Sequence, residues 1–370
     1  MRVIIAAAGT GGHINPGIAI ANKIMQEDNN SKVIFIGTTR GIENDLVPRA
    51  GYELKTIEAY GLSKKINLDS IRKNIKTIQA IKSAKKIIDD FKPDLVIGTG
   101  GYICGPVIMA AKKRKIATML HESNAFPGLA VKMLSKKVDT VLVGFKEAKN
   151  YLPKAKKVVV TGTPTKINKK NLSVEEKKLQ KERIGLKANL PTVLIFGGSQ
   201  GAKKINDEVL PIIENEKNEN YQILWAPGPK NYDEVKQELE DKAKNIQNIK
   251  NAKVVPYIYN MEEAMNVADL LVCRSGAITI TEIAKLGKPA IFIPLPNVSQ
   301  NHQEKNAKVL QKAGAAYIIL NSDLTADKLH ETIEEVITKP DKLNMMGKNA
   351  QKIEVTHVED KIYEEIKKLL

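Results

Sequence analysis

Cysteine is nearly absent. Cys104 and Cys273 are the only two in 370 residues, far apart and in or beside apolar runs. That excludes a disulfide framework, fits a reducing cytosol, and leaves no metal-ligand spacing. Aromatic residues make up 5% of the chain, with a single Trp. They are too sparse for a platform on which nucleic-acid bases stack, and no recognised nucleic-acid module occurs, so nucleic acid is not an expected partner. No run approaches the roughly 20 apolar residues of a membrane span. The short apolar opening Val3–Ala8 runs into a glycine loop, which reads as a first buried strand and not as a signal peptide. Acidic residues are outnumbered, 42 against 58 Lys and Arg, leaving a formal net charge of +16. Such a chain is drawn to polyanions: nucleic acid, anionic lipid or phosphorylated small molecules.

What is present is a repeated unit. Leu270–Cys273 is an apolar run, Arg274-Ser275-Gly276 a turn, and the stretch carrying Thr279 and Glu282 has helical character before Ala290–Pro294 resumes a β-rich run. Strand, glycine turn, helix and strand make a βαβ unit with parallel strands. The pattern recurs at Asp94–Leu120 around Thr99-Gly100-Gly101-Tyr102, at Val3–Met25 around Gly9–His13, and from Val193 around Gly197–Gly201. Length allows two cores. The fold class expected is therefore α/β, two Rossmann-like doubly wound parallel-sheet domains. The expected boundaries are 1–163, 164–345 and a C-terminal helical segment 346–370 that packs back on the first domain. Ser173 and Glu176 have capping-box spacing just after the boundary.

Chemistry follows from the loops. A strand-to-helix glycine turn presents free N–H groups and the positive end of the helix dipole to a phosphate. A dinucleotide fingerprint needs a sixth-position glycine, and after Gly9 and Gly11 that place is Ile14, so the nicotinamide reading fails. His13 is a candidate general base, with helix capping as the bland alternative. Glu122 and Asn124 fall at the carboxyl edge after the strand ending at Leu120, where they either serve a ligand or satisfy loop backbone. Between Leu62 and Lys92, apolar residues at helical spacing alternate with Arg72, Lys73, Lys76, Lys82, Lys85 and Lys86. This is either a helix packed on the sheet or one that also touches anionic lipid.

The motifs GTGGHINP, GTGGYICGP, GGSQGAKKIN and RSGAITITEI, in this order over nearly the whole chain, resemble family 28 glycosyltransferases of GT-B architecture. Within that family the resemblance is to the bacterial UDP-N-acetylglucosamine:undecaprenyl-diphospho-muramoylpentapeptide N-acetylglucosaminyltransferases. The resemblance implies two Rossmann-like domains facing across a cleft, the first taking lipid I and the second UDP-GlcNAc. It implies no cofactor and no metal, and peripheral residence on the anionic cytoplasmic face of the cell membrane. By resemblance, Ile258 pairs uracil through its backbone and Glu282 holds ribose. Ser199 with Ala277, Ile278 and Thr279 meets the diphosphate, and Gln303 holds the sugar. Thr10, Gly11, Gly12 and Asn124 complete the donor site, with His13 as base and Glu122 as rival or orienting partner. Where the family has an Asn-Pro-Val-Arg linker this chain has Thr163-Pro164-Thr165-Lys166, so Lys166 replaces a bidentate guanidinium with a point charge. The alternatives are a UDP-GlcNAc 2-epimerase or hydrolase, or another GT-B UDP-sugar transferase.

Overall fold

In the computed structural model the chain divides into two compact units, Met1–Thr165 with Val355–Leu370, and Lys166–Glu354. The structure describes residues 1–59, 68–242, 245, 246 and 249–370, with the backbone alone over 68–75, 77 and 78. Leu62 and the start of the basic stretch lie outside the described residues. The side chains of Arg72 and Lys73 do too.

Among the described residues, the first unit is built on β1 (Arg2–Ala7), β2 (Lys32–Gly37), β3 (Glu53–Thr56), β4 (Leu95–Gly100), β5 (Ala117–Glu122), β6 (Thr140–Val143) and β7 (Val158–Val160). They form one parallel sheet in the order β3-β2-β1-β4-β5-β6-β7. Its helices are α1 (Gly11–Glu27), α2 (Glu43–Arg49), α3 (Leu68–Phe91), α4 (Cys104–Lys113) and α5 (Leu129–Leu134). Alternation along β1 sends Val3, Ile5 and Ala7 to one face, beneath Ile14, Ile18 and Ala21 of α1. Ile4 and Ala6 go to the other, beneath Ala84 and Ile88 of α3 and Val107 and Ile108 of α4. Burial on both faces explains why these strands read as continuous apolar runs.

The second unit holds β8 (Thr192–Phe196), β9 (Gln222–Ala226), β10 (Ala252–Val254), β11 (Leu270–Cys273), β12 (Ala290–Phe292) and β13 (Ala316–Ile318). They are again all parallel, in the order β10-β9-β8-β11-β12-β13. Helices α6 (Val174–Arg183), α7 (Lys203–Glu214), α8 (Tyr232–Asp241), α9 (Met261–Val267), α10 (Ala277–Leu286), α11 (His302–Lys312), α12 (Ala326–Ile337) and α13 (Pro340–Gln351) surround it. The last helix, α14 (Val358–Lys367), belongs to the first unit. There Ile362 and Ile366 join the α1 core, and Asp360 pairs with Lys23 of α1 at 2.6 Å.

Both sheets are doubly wound, as the repeated strand, glycine loop and helix predicts. Each reverses its strand order at one point, between β1 and β4 and between β8 and β11, and loops diverging from such a point leave a crevice for ligand. Two details differ from the sequence expectation. The strand expected to reach Ile258 stops at Val254, because Pro256 has no N–H to continue the ladder. The edge strand β3 was not expected, since its four residues are largely exposed and carry no apolar alternation.

Candidate functional site

In the first unit the switch point brings two glycine loops together around one imidazole. Thr10 caps α1 from extended backbone without a side-chain bond, so the N–H groups of Gly11 and Gly12 take no partner among the described residues. His13, the third residue of α1, places Nδ1 3.0 Å from the Ala8 carbonyl and 3.4 Å from Thr10 Oγ1. A carbonyl only accepts, so Nδ1 carries a proton, and in the neutral ring the lone pair is on Nε2. The other loop supplies the seat. Gly100, at φ +131°, lies so close that a methyl group there would overlap the ring. Thr99 Oγ1 donates to the His13 carbonyl at 2.8 Å.

Glu122 ends β5, and its side chain is engaged by loop donors. Oε1 accepts from Asn124 N and Nδ2, both at 2.9 Å, and Oε2 accepts from Gly128 N at 2.7 Å. No hydrogen bond joins it to His13 among the described residues. These bonds brace the loop carrying Asn124, and the partner of His13 Nδ1 at 3.0 Å is the Ala8 carbonyl. His121, one residue earlier, is fully buried with Nε2 donating to Gly162 O at 3.1 Å. Burial pushes it down to about 4, so it is a neutral structural imidazole.

In the second unit the corresponding loops are Gly197–Gly201 after β8 and Arg274–Gly276 after β11. Gly198 and Gly201 sit at φ +94° and +76°, and a methyl group on Gly201 would overlap the Pro227 carbonyl. Glycine alone permits this tight turn, which leaves Ser199 exposed and without a partner among the described residues. Gly276 caps α10, whose first turn holds no acidic residue and no side-chain cap. The N–H groups of Ala277 and Ile278 thus have no partner among the described residues and lie at the positive end of the helix dipole, beside Thr279. Glu282 follows on the next turn, half-buried. Cys273 beneath is pushed up by burial and by the charge of Glu282.

Gln303 locks the Arg274–Gly276 loop to the loop that follows β12. Its Oε1 accepts from Leu295 N at 2.9 Å and Ser275 N at 3.3 Å, and its carbonyl accepts from Ser275 Oγ at 2.9 Å. The amide Nε2 stays without a partner among the described residues. Arg274, 9% exposed, adds a clamp that sequence reasoning missed. Its Nη1 donates to Ile293 O at 2.9 Å, Pro294 O at 3.2 Å and Asn321 Oδ1 at 2.9 Å, tying the β12 and β13 loops to β11. In the sequence Arg274 stands out only as the first residue of the Arg274-Ser275-Gly276 turn. Ile258 lies beyond β10 between the exposed Tyr257 and Tyr259, and its backbone N–H has no partner among the described residues. Lys166 is exposed and unpaired among the described residues.

Comparison with known proteins places the chain in a family. Residues 3–143 match the glycosyltransferase family 28 N-terminal domain and residues 192–362 its C-terminal domain. A relative from Thermoanaerobacter sp. (strain X514), named UDP-N-acetylglucosamine--N-acetylmuramyl-(pentapeptide) pyrophosphoryl-undecaprenol N-acetylglucosamine transferase, is 44% identical, with all of both chains covered. The crystal structure of Acinetobacter baumannii MurG aligns with TM-score 0.80 at 30% identity over 99% of each chain. A UDP-GlcNAc 2-epimerase from Neisseria meningitidis aligns with TM-score 0.63 at 18% identity over all of both chains, which shows a shared fold alone. The chain belongs to glycosyltransferase family 28 and carries both of its domains, on two doubly wound sheets of GT-B type.

Proposed function

We propose that this protein is an inverting transferase that moves GlcNAc from UDP-GlcNAc to the 4-hydroxyl of the muramoyl sugar of lipid I, giving lipid II for peptidoglycan. The observation that carries it is the open N-terminus of α10 at the switch point of the second sheet, in a chain related over its whole length to a transferase of that name. The acceptor oxygen attacks the anomeric carbon, the C–O bond to the β-phosphate breaks, and the acceptor proton passes to Nε2 of His13. The departing UDP gains negative charge, which the N–H groups of Ala277 and Ile278 and the Ser199 hydroxyl stabilise where it develops. Ile258 reads uracil, Glu282 the ribose, and the free Nε2 of Gln303 a sugar hydroxyl. Thr279 adds a donor contact in the second unit, Thr10, Gly11, Gly12 and Asn124 are substrate-binding residues on the loops of the first, and Lys166 offers an exposed point charge. The protein works as a peripheral enzyme on the anionic cytoplasmic face of the cell membrane. No described helix is long and apolar enough to cross a bilayer.

The epimerase reading shares the fold and the donor, and one assay separates the two. UDP release from UDP-GlcNAc is followed with and without a lipid I analogue. Release that requires the analogue, with a GlcNAc-bearing lipid product, is expected. Acceptor-independent release or appearance of UDP-ManNAc would overturn the proposal.

A further inference from the structure

We infer that Glu43 is a positioning residue for His13, acting through the single peptide group that joins Ala8 to Gly9. The inference rests on the reading of His13 as the general base. Glu43, the first residue of α2, is fully buried. Its Oε2 accepts from Gly9 N at 3.0 Å, while Oε1 accepts from Thr38 N at 3.0 Å and Thr38 Oγ1 at 2.6 Å. The peptide N–H that Glu43 holds and the carbonyl that His13 Nδ1 holds belong to the same plane. That peptide is trans, so its N–H and C=O point in opposite directions. The result is one continuous chain from carboxylate to Gly9 N–H, through the Ala8 carbonyl, to the Nδ1 proton of His13.

Two consequences follow. The carboxylate draws on the N–H and polarises the peptide, making the Ala8 oxygen a stronger acceptor, because hydrogen bonds in series reinforce one another. The imidazole is then held with its proton on Nδ1 and stabilised when Nε2 takes a second proton. A directly bonded aspartate does this in a Ser-His-Asp triad, and here one peptide group is inserted. The arrangement is also protected sterically. A methyl group on Gly41 would overlap the Glu43 carboxylate, and one on Gly101 would come within 2.7 Å of the Ala8 oxygen.

The groups that face this chain are as follows. Burial pushes the Glu43 carboxyl up, but the Thr38 hydroxyl and the Gly9 and Thr38 N–H groups outweigh it and hold the acid below its usual range. Arg40, in the same loop, turns to the Ala59 carbonyl at 3.4 Å. Cys104, behind Gly100, is pushed up to about 12 by burial and stays neutral. No charged side chain hydrogen-bonds to the His13 ring among the described residues.

The test compares native protein, Glu43→Gln, Gly41→Ala and His13→Ala, with each second variant also combined with His13→Ala. Turnover with a lipid I analogue is measured across pH, and UDP-GlcNAc affinity by calorimetry. Glu43→Gln is expected to lower kcat about 10-fold, far less than the roughly 10⁴-fold seen for a directly bonded carboxylate. Its acid limb should move to lower pH, with donor affinity within about twofold. Gly41→Ala displaces the carboxylate without removing it, and should copy this should the glutamine variant fold poorly. Either change on top of His13→Ala should cost nothing further. An unmoved acid limb, or losses that multiply with His13→Ala, would overturn the relay and leave His13 as base. Native-like turnover of His13→Ala alone would instead remove the base reading, and the relay with it.

Discussion

At the residue scale the carboxylates near the loops separate into two braces and one proposed ligand. Glu122 and Glu43 have their oxygens occupied by loop donors. Glu282 stands on the helix that opens toward the proposed diphosphate. Glu282→Ala is expected to weaken UDP-GlcNAc by roughly 1.5–3 kcal/mol, the range for a hydrogen bond to a charged group. Calorimetry checks this, and an unchanged affinity would remove Glu282 from the donor site. His13→Ala leaves the donor loops of the second unit untouched. It should lower turnover about 10²–10⁴-fold with donor affinity nearly intact. The geometry separates it from Glu122→Gln, which loosens the Asn124 loop. If the glutamine variant alone abolishes turnover, the two roles are reversed.

At the element scale the glycine loops were legible because positive φ and close approach leave glycine no substitute, and the strands because burial on both faces demands unbroken apolar runs. Glu43 and Arg274 were not legible. A buried charge is defined by partners distant in sequence, such as Gly9 for one and Asn321 for the other. The same holds for Lys288, which precedes β12 and looks like a surface lysine. Its Nζ donates to Asn266 O at 2.7 Å and Ala268 O at 2.6 Å, closing the C-terminal end of α9. Burial, with Lys177 and then Lys181 and Lys169 nearby against the single Asp269, pushes it down to about 7. A neutral amine has two N–H groups, and both are used. The unfolded chain holds this proton up to the ordinary lysine range while the fold releases it near 7. Stability therefore rises between these values and lacks this contribution below 7. Thermal melts from pH 6 to 10 should show that rise in the native protein. It should be smaller in Lys288→Met, which is also less stable throughout because two carbonyls lose their donor. Parallel curves for the two proteins would mean that Lys288 does not titrate in this window.

At the scale of the whole molecule the question is what the +16 charge does. The proposed acceptor keeps its long lipid in the bilayer, and since no described helix is long and apolar enough to cross it, docking is the route proposed. A basic surface on the first unit is the means proposed. The structure narrows it. On α3, Ala80, Ala84 and Ile88 are buried against the core while Lys82 and Lys86 are exposed. Of the cluster 112–115, Lys112 is paired with Asp139 at 3.0 Å and Arg114 with Asp89, which leaves Lys113 and Lys115 exposed. Each Lys or Arg near an anionic bilayer contributes about 1 kcal/mol, falling off over a Debye length of roughly 10 Å at 0.1 M salt. A handful gives reversible attachment that weakens as salt rises. Replacing Arg72, Lys73, Lys76 and Lys82 by Gln should release the protein from anionic vesicles in a sedimentation assay. It should leave UDP-GlcNAc binding unchanged, because none of these four residues is among those proposed for the donor site. Equal binding to neutral and anionic vesicles, or full retention by the charge-depleted variant, would assign these residues to solvating a packed helix.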